Sequence, residues 1–174
     1  VQVVTLDDNR QSETPGLRRA AMDHLARREH SRQELIRKLK TRFPDSTDES
    51  IEAVIDRLVG QGLQSDERFT EAWVRHRKLR GYGYLFILQD LRTRGVPQAV
   101  IDRHLFADDS DWSTQIRELI HRRLPADGRL SWGSKQHRRL HALLQRRGFD
   151  TPLIQASLKP HLMSAGKTAH HVDP

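Results

Sequence analysis

Apolar residues recur along this chain at helical spacing, and the same stripe returns about every fifty residues. Leu17, Ala21 and Leu25 stand at i, i+4 and i+8 and predict a first helix over 17–28. Ser31, with Glu34 three residues on and Leu35 next, has the form of a capping box. It predicts a second helix over 31–42 with Leu35, Ile36 and Leu39 inside, stopped by Pro44. Ile51, Val54, Ile55 and Leu58 predict a third, ended by Gly60 and Gly62. The pattern then restarts. Phe69, Ala72, Trp73, His76 and Arg80 follow Leu17, Ala20, Ala21, His24 and Arg28 at a constant offset of 52. Ala99-Val100-Ile101-Asp102-Arg103 repeats Ala53-Val54-Ile55-Asp56-Arg57 letter for letter, at an offset of 46.

In this second set the stripe Phe69, Ala72, Trp73, His76 makes Trp73 the expected core anchor, and Ser65 or Asp66 the cap. Gly81-Tyr82-Gly83 turns the chain into a helix over 84–94, Gly95 suits the left-handed position that ends it, and Pro97 opens a short helix ending near Phe106. A third set starts at the acidic run 108–111, with Trp112, Ile116, Leu119 and Ile120 as its inner face. After a linker over 125–133 come a helix over 134–147 and a last one opened by Thr151-Pro152. There Leu140, Leu144 and Ile154 stand 53 after Ile87, Leu91 and Ile101.

No segment alternates with period two for long enough to argue a sheet. The expected fold class is therefore all-α: an elongated array of three tandem three-helix repeats at 17–63, 64–107 and 108–160. A flexible arm over 1–16 and a flexible tail over 161–174 flank it. Val1 stands where an initiator Met would, as in a trimmed product.

Charge changes this picture more than composition does. The net charge is +7, from 30 Lys+Arg and 23 Asp+Glu, yet residues 1–112 carry 19 of each sign. The remaining 11 basic and 4 acidic side chains, all beyond residue 112, supply the whole excess and make the third repeat the basic one. On the helix over 134–147, Lys135, Arg138, Arg139 and Arg146 fall on the side away from Leu140, Leu143 and Leu144, with no acid between them. Like charges on one face repel, so these four are candidate contacts for a partner or nucleic acid. Arg75 and Lys78, on the outer face of the Phe69 helix, are further candidates, although Glu71 stands four before Arg75 and can pair with it.

Other chemistry is thinly represented. The absence of cysteine excludes disulfides, thiolate catalysis and thiolate-bound zinc, and points to a cytoplasmic protein. The longest apolar run, 84–88, is far short of the ~20 residues that span a membrane. Gly166-Lys167-Thr168 ends like a phosphate-binding loop, but His161 stands where the first glycine belongs. His170-His171 lack metal-site spacing, and His24 and His76 share a repeat position with no nucleophile or acid recurring beside them. Arg28 and Arg80 recur at helix ends, where free carbonyls would hold them. The reading is a protein that is no enzyme and carries no cofactor and no metal.

Arg27-Arg28-Glu29-His30-Ser31 with Glu34-Leu35 and Lys38-Leu39, then Ser65-Asp66-Glu67-Arg68-Phe69, Arg80-Gly81-Tyr82-Gly83, and Leu91 with Arg94-Gly95-Val96, form an ordered set. Over about residues 17–105 this set resembles the RecX regulatory proteins, bacterial modulators of the RecA recombinase. The chain departs from that pattern at Tyr84-Leu85-Phe86, where Pro and a basic residue are common, and at Ser65, where an acid is. The resemblance implies tandem three-helix repeats and a monomer that lies in the groove of the RecA–single-stranded-DNA filament and inhibits its growth, ATPase and strand exchange. The alternative from the residues alone is a helical protein that binds nucleic acid directly through its basic third repeat.

Overall fold

The structure, a computed structural model, describes residues 16–163. Among them the chain is all-α, built from tandem three-helix repeats. The first comprises α1 (Leu17–Leu25), α2 (Arg32–Arg42) and α3 (Asp48–Gly60), and the second α4 (Asp66–Leu79), α5 (Tyr84–Thr93) and α6 (Gln98–His104). The third has α7 (Asp111–His121), α8 (Lys135–Arg146) and α9 (Thr151–Leu158).

Helix boundaries follow local chemistry. Ser31, Thr47, Ser134 and Asp150 each accept a backbone N–H from the first turn of α2, α3, α8 and α9, satisfying donors that have no partner within the helix. The expected capping box at Ser31 is only half formed. Its hydroxyl accepts from Glu34 N at 3.1 Å, but the Glu34 carboxylate bonds to side chains instead. α1 stops at Leu25, three residues short of the expected end, and the turn through 26–28 lets Arg28 reach Glu34.

The chain forms two compact units: the described residues through Val74 together with Asp90–His104, and Arg75–Gln89 together with the described residues from Leu105 on. The first unit has a core of Leu17, Ala20, Ala21, Leu35, Ile36, Leu39, Ile51, Val54, Ile55 and Leu58; all but Ala20 are positions of the predicted stripes, while Leu25 of the α1 stripe is only partly buried. Phe69, at 1% exposure, is also buried in this unit. Trp73 is not the expected anchor. The buried residues of α4 are Phe69, Thr70 and Val74, one position round from the predicted stripe, and Trp73 is half-buried. Its ring stacks on Phe69 at 5.5 Å, its Nε1 donates to Asp90 at 3.0 Å, and the Arg94 guanidinium lies 3.9 Å from its centroid. A large ring with a polar N–H is more easily placed where one edge reaches such partners than in a dry core.

The second unit has its core in Ile116, Leu119, Ile120, Leu130, Leu140, Leu144, Phe149, Ile154 and Leu158. Trp112 is buried with its Nε1 donating to the Phe106 carbonyl oxygen at 2.8 Å. A two-residue parallel strand pair unforeseen from the sequence joins β1 (Leu130–Ser131) to β2 (Leu162–Met163), and His161 Nδ1 lies 3.2 Å from the Gly128 carbonyl oxygen. Residues 161–163, placed in the expected flexible tail, are thereby bonded to the expected linker.

The Arg80-Gly81-Tyr82-Gly83 segment is more than a turn. Gly83 N donates to the Arg147 carbonyl oxygen at 2.7 Å, and Leu85 N to that of Gly148 at 3.0 Å. A Cβ on Gly83 would stand 2.5 Å from the Gly148 oxygen, and one on Gly148, whose φ is +84°, 2.2 Å from Phe86 N. Only glycine permits both the left-handed backbone and the backbone-to-backbone approach.

Candidate functional site

α8 carries the candidate surface. Its inner face, His137, Leu140 and Leu144, is buried, and that burial fixes the rotation of the helix about its axis. Lys135, Arg138, Arg139 and Arg146 are consequently exposed, and among the described residues none of the four has an ion pair or a side-chain hydrogen bond. All four line one hollow of about 620 Å³, together with Arg123 from the turn after α7. No carboxylate lines it. Arg123 also lines a second hollow of about 520 Å³ with Arg80, Arg122 and Arg147. Arg147 is held there, donating to the Arg80 carbonyl oxygen at 2.8 Å and lying 4.6 Å from the Tyr82 ring centroid. These arginines extend the basic surface beyond α8. The sequence charge count contained them, but residues on a helix end, a turn and a glycine corner share no helical face by which periodicity could group them.

The other two predicted residues lie elsewhere. Arg75 is exposed, and it does not pair with Glu71. Lys78 is taken up inside the second unit: its ammonium pairs with Asp109 and, at 3.3 Å, with Asp111, and stands 4.4 Å from the Trp112 centroid. The Lys78 hydrogen bond holds the Asp109 carboxyl below its usual range, helped by the Asp111 backbone N–H and opposed by burial. The structure therefore brings Lys135, Arg138, Arg139 and Arg146 together and leaves Arg75 and Lys78 outside that hollow.

The first unit shows what paired charges look like in the same chain. Glu34 is bonded by His30 at 3.2 Å, by Arg28 at 3.2 Å and by Arg94. Burial pushes its carboxyl up, but the His30 hydrogen bond and the two guanidinium groups outweigh that and leave its pKa at about 2. Ser31 Oγ donates to the Arg94 carbonyl oxygen at 2.7 Å, and Asp66 accepts from Arg32 N at 2.8 Å and from Gln64 Nε2 at 2.9 Å. Glu29 pairs with Arg68, and Glu67 with Arg103 and His104. The motif residues of the first two repeats are thus largely bonded to one another, as fasteners of this unit. Arg28 reaches the Glu29 carbonyl oxygen at 2.8 Å as well as Glu34, while its repeat counterpart Arg80 lines the basic hollow. His24 and His76 also part company: His24 packs edge-on to His30 at 5.6 Å and has its pKa lowered chiefly by burial, whereas His76 is exposed.

Among the described residues no cluster of three or more His, Asp or Glu is placed to hold a metal ion, and no helix is long and apolar enough to cross a membrane. Gly166-Lys167-Thr168 and His170-His171 lie outside the described residues.

Tandem three-helix repeats with a fastened first unit and an unpaired basic face on the second define a class of helical-repeat proteins with a candidate binding surface. Residues 18–58 match the first three-helix domain of RecX, and residues 65–105 the second. A regulatory protein RecX of Xanthomonas oryzae is 41% identical over 141 residues, covering 80% of this chain and 84% of that one. One from Ectopseudomonas mendocina is 39% identical over 143 residues, covering 82% and 93%. The chain belongs to the RecX regulatory protein family. The crystal structure of RecX from Lactobacillus salivarius shares the fold at a TM-score of 0.70 and 18% identity, over 83% of this chain and 93% of that one.

Proposed function

We propose that this protein binds the RecA–single-stranded-DNA filament and inhibits its growth, ATPase and strand exchange, acting as a monomer in the cytoplasm. Membership of the RecX family supports the partner. The observation that carries the contact surface is the unpaired set Lys135, Arg138, Arg139 and Arg146 around one carboxylate-free hollow. Four exposed cations on one face repel each other, and an acidic protein surface or DNA phosphate relieves that repulsion.

The test reverses Arg138, Arg139 and Arg146 to Glu, taking the net charge from +7 to +1. All three are exposed, so helicity is expected to survive. Loss of three contacts worth about 1 kcal/mol each weakens binding about a hundredfold, with repulsion added. The inhibition curve of RecA's DNA-dependent ATPase is expected to move to correspondingly higher protein concentration. An unmoved curve from a folded triple variant refutes this surface.

A second reading is direct nucleic-acid binding by the same face, favoured by the lack of any carboxylate in the hollow. Phosphate binding weakens steeply between low and moderate salt because it depends on counterion release, whereas a protein contact persists.

A further inference from the structure

On the other flank of α8 from the arginine hollow lies a groove of about 970 Å³. Arg138 and Ala142 line both, so the two are neighbours across a single helix. The groove is mostly apolar, with Trp132, Pro152, Ala156 and Leu162 among its walls, and no carboxylate lines it. Trp132 is 65% exposed, a large apolar ring left in water just before α8. Three rings follow one another along the wall: Trp132 and His137 at 4.8 Å between centroids, then His137 and His141 at 6.3 Å. His137 is 7% exposed, and its Nδ1 has no hydrogen-bond partner in the fold. Buried polar atoms are seldom left so, and each asks for an explanation.

We infer that this groove is a base-stacking subsite for single-stranded nucleic acid, with an unpaired nucleobase on Trp132 and the adjoining phosphates on Arg138 and its basic neighbours. Charge selects the occupant. The groove is flanked by Arg138 and Lys159 and continues into a hollow with four more cations, which suits a strand carrying one negative charge per nucleotide. An aromatic face beside a basic track is how proteins hold single strands with little sequence preference, because every base has a π-face. Base edges carry both donors and acceptors, and the side-chain amides of Gln145 and Gln155 stand on the groove walls to meet them. Burial, and to a smaller extent the neighbouring His141, lowers the His137 pKa and so favours its neutral ring.

The subsite rests on the reading of direct nucleic-acid contact, and the test separates the two. The full-length protein is titrated into a labelled oligothymidylate and, separately, into an abasic oligomer of the same length that keeps the phosphates but has no bases. Wild type is expected to prefer oligothymidylate. Trp132→Ala is expected to bind it about tenfold more weakly with abasic binding unchanged, and Trp132→Phe to retain most of the affinity while losing much of the tryptophan quenching. Helicity is checked throughout, and the exposure of Trp132 leaves the fold intact. Equal affinity for both oligomers, or an unaffected Trp132→Ala, overturns the subsite while leaving phosphate binding in place. Failure of wild type to bind either oligomer overturns the nucleic-acid reading and the subsite with it. Weaker inhibition of RecA by Trp132→Ala with unchanged oligothymidylate binding gives the groove to a protein partner and likewise overturns the subsite.

Discussion

Gly148 is the position at which one methyl group tests the corner between 80–83 and the end of α8. Its φ of +84° is one an L side chain adopts at a cost of about 1 kcal/mol. An added Cβ would also stand 2.2 Å from Phe86 N and 2.4 Å from Phe86 Cβ, so the two backbones must part by more than an ångström. That separation strains or breaks the Gly83-to-Arg147 and Leu85-to-Gly148 backbone bonds, each with a net worth of about 1 kcal/mol. Gly148→Ala is therefore expected to destabilise the protein by about 3–4 kcal/mol. Two further variants divide the cost. Gly128→Ala has a comparable φ of +68° but nothing within 4 Å of its Cβ, and should lose only about 1 kcal/mol. Gly83→Ala, whose φ lies outside the left-handed region, meets the Gly148 oxygen at 2.5 Å and should lose about 2–3 kcal/mol by crowding. The assay is urea unfolding of the full chain followed by far-ultraviolet circular dichroism. Equal losses at Gly148 and Gly128 would refute the close approach and leave only backbone conformation.

Two other perturbations probe the first unit. The Glu34 carboxyl falls from an ordinary 4.5 to about 2 on folding, so the stability it contributes is present above pH 4.5 and drains away as pH falls toward 2. The shift corresponds to about 3 kcal/mol, trimmed to about 2 because Arg28 is 44% exposed and its interaction is screened. Thermal melting across this range should show Glu34→Gln less stable than wild type at neutral pH and with a flatter acid limb; superimposable limbs would show that the carboxylate is not held by its partners. Phe69→Ala should cost about 3–5 kcal/mol and Trp73→Ala about 2, because Phe69 is fully buried and Trp73 only half. A greater loss of melting temperature at Trp73 would restore it as the core anchor.

The residues that carried the family resemblance were legible because they are close in sequence, yet the bonds they make are not. Glu34 meets Arg94 from 60 residues away, and Ser31 caps α2 while donating to that same arginine's carbonyl oxygen. The predicted α4 stripe identified Phe69 but misplaced Trp73. An arc drawn at helical period is wide enough to include either Trp73 or Val74, and only the packed neighbours choose between them.

Sequence alone determined the helices, their tandem order and the basic face of α8. Apolar period and capping residues are local, and no acid stands between Asp127 and Asp150, so nothing on that helix could neutralise its own cations. Tertiary structure decided which charges stay free. Lys78 reads as outward-facing on its helix, but Asp109, 31 residues later, folds back to take it. Arg80, Arg122, Arg123 and Arg147 meet around one hollow only because the glycine corner brings their segments together. Trp132, in a linker by sequence, becomes the rim of a groove once β1 pairs with β2 and α9 closes the opposite wall. Local periodicity records which side of a helix avoids water, whereas charge pairing and groove walls depend on residues distant in sequence, whose positions only packing sets.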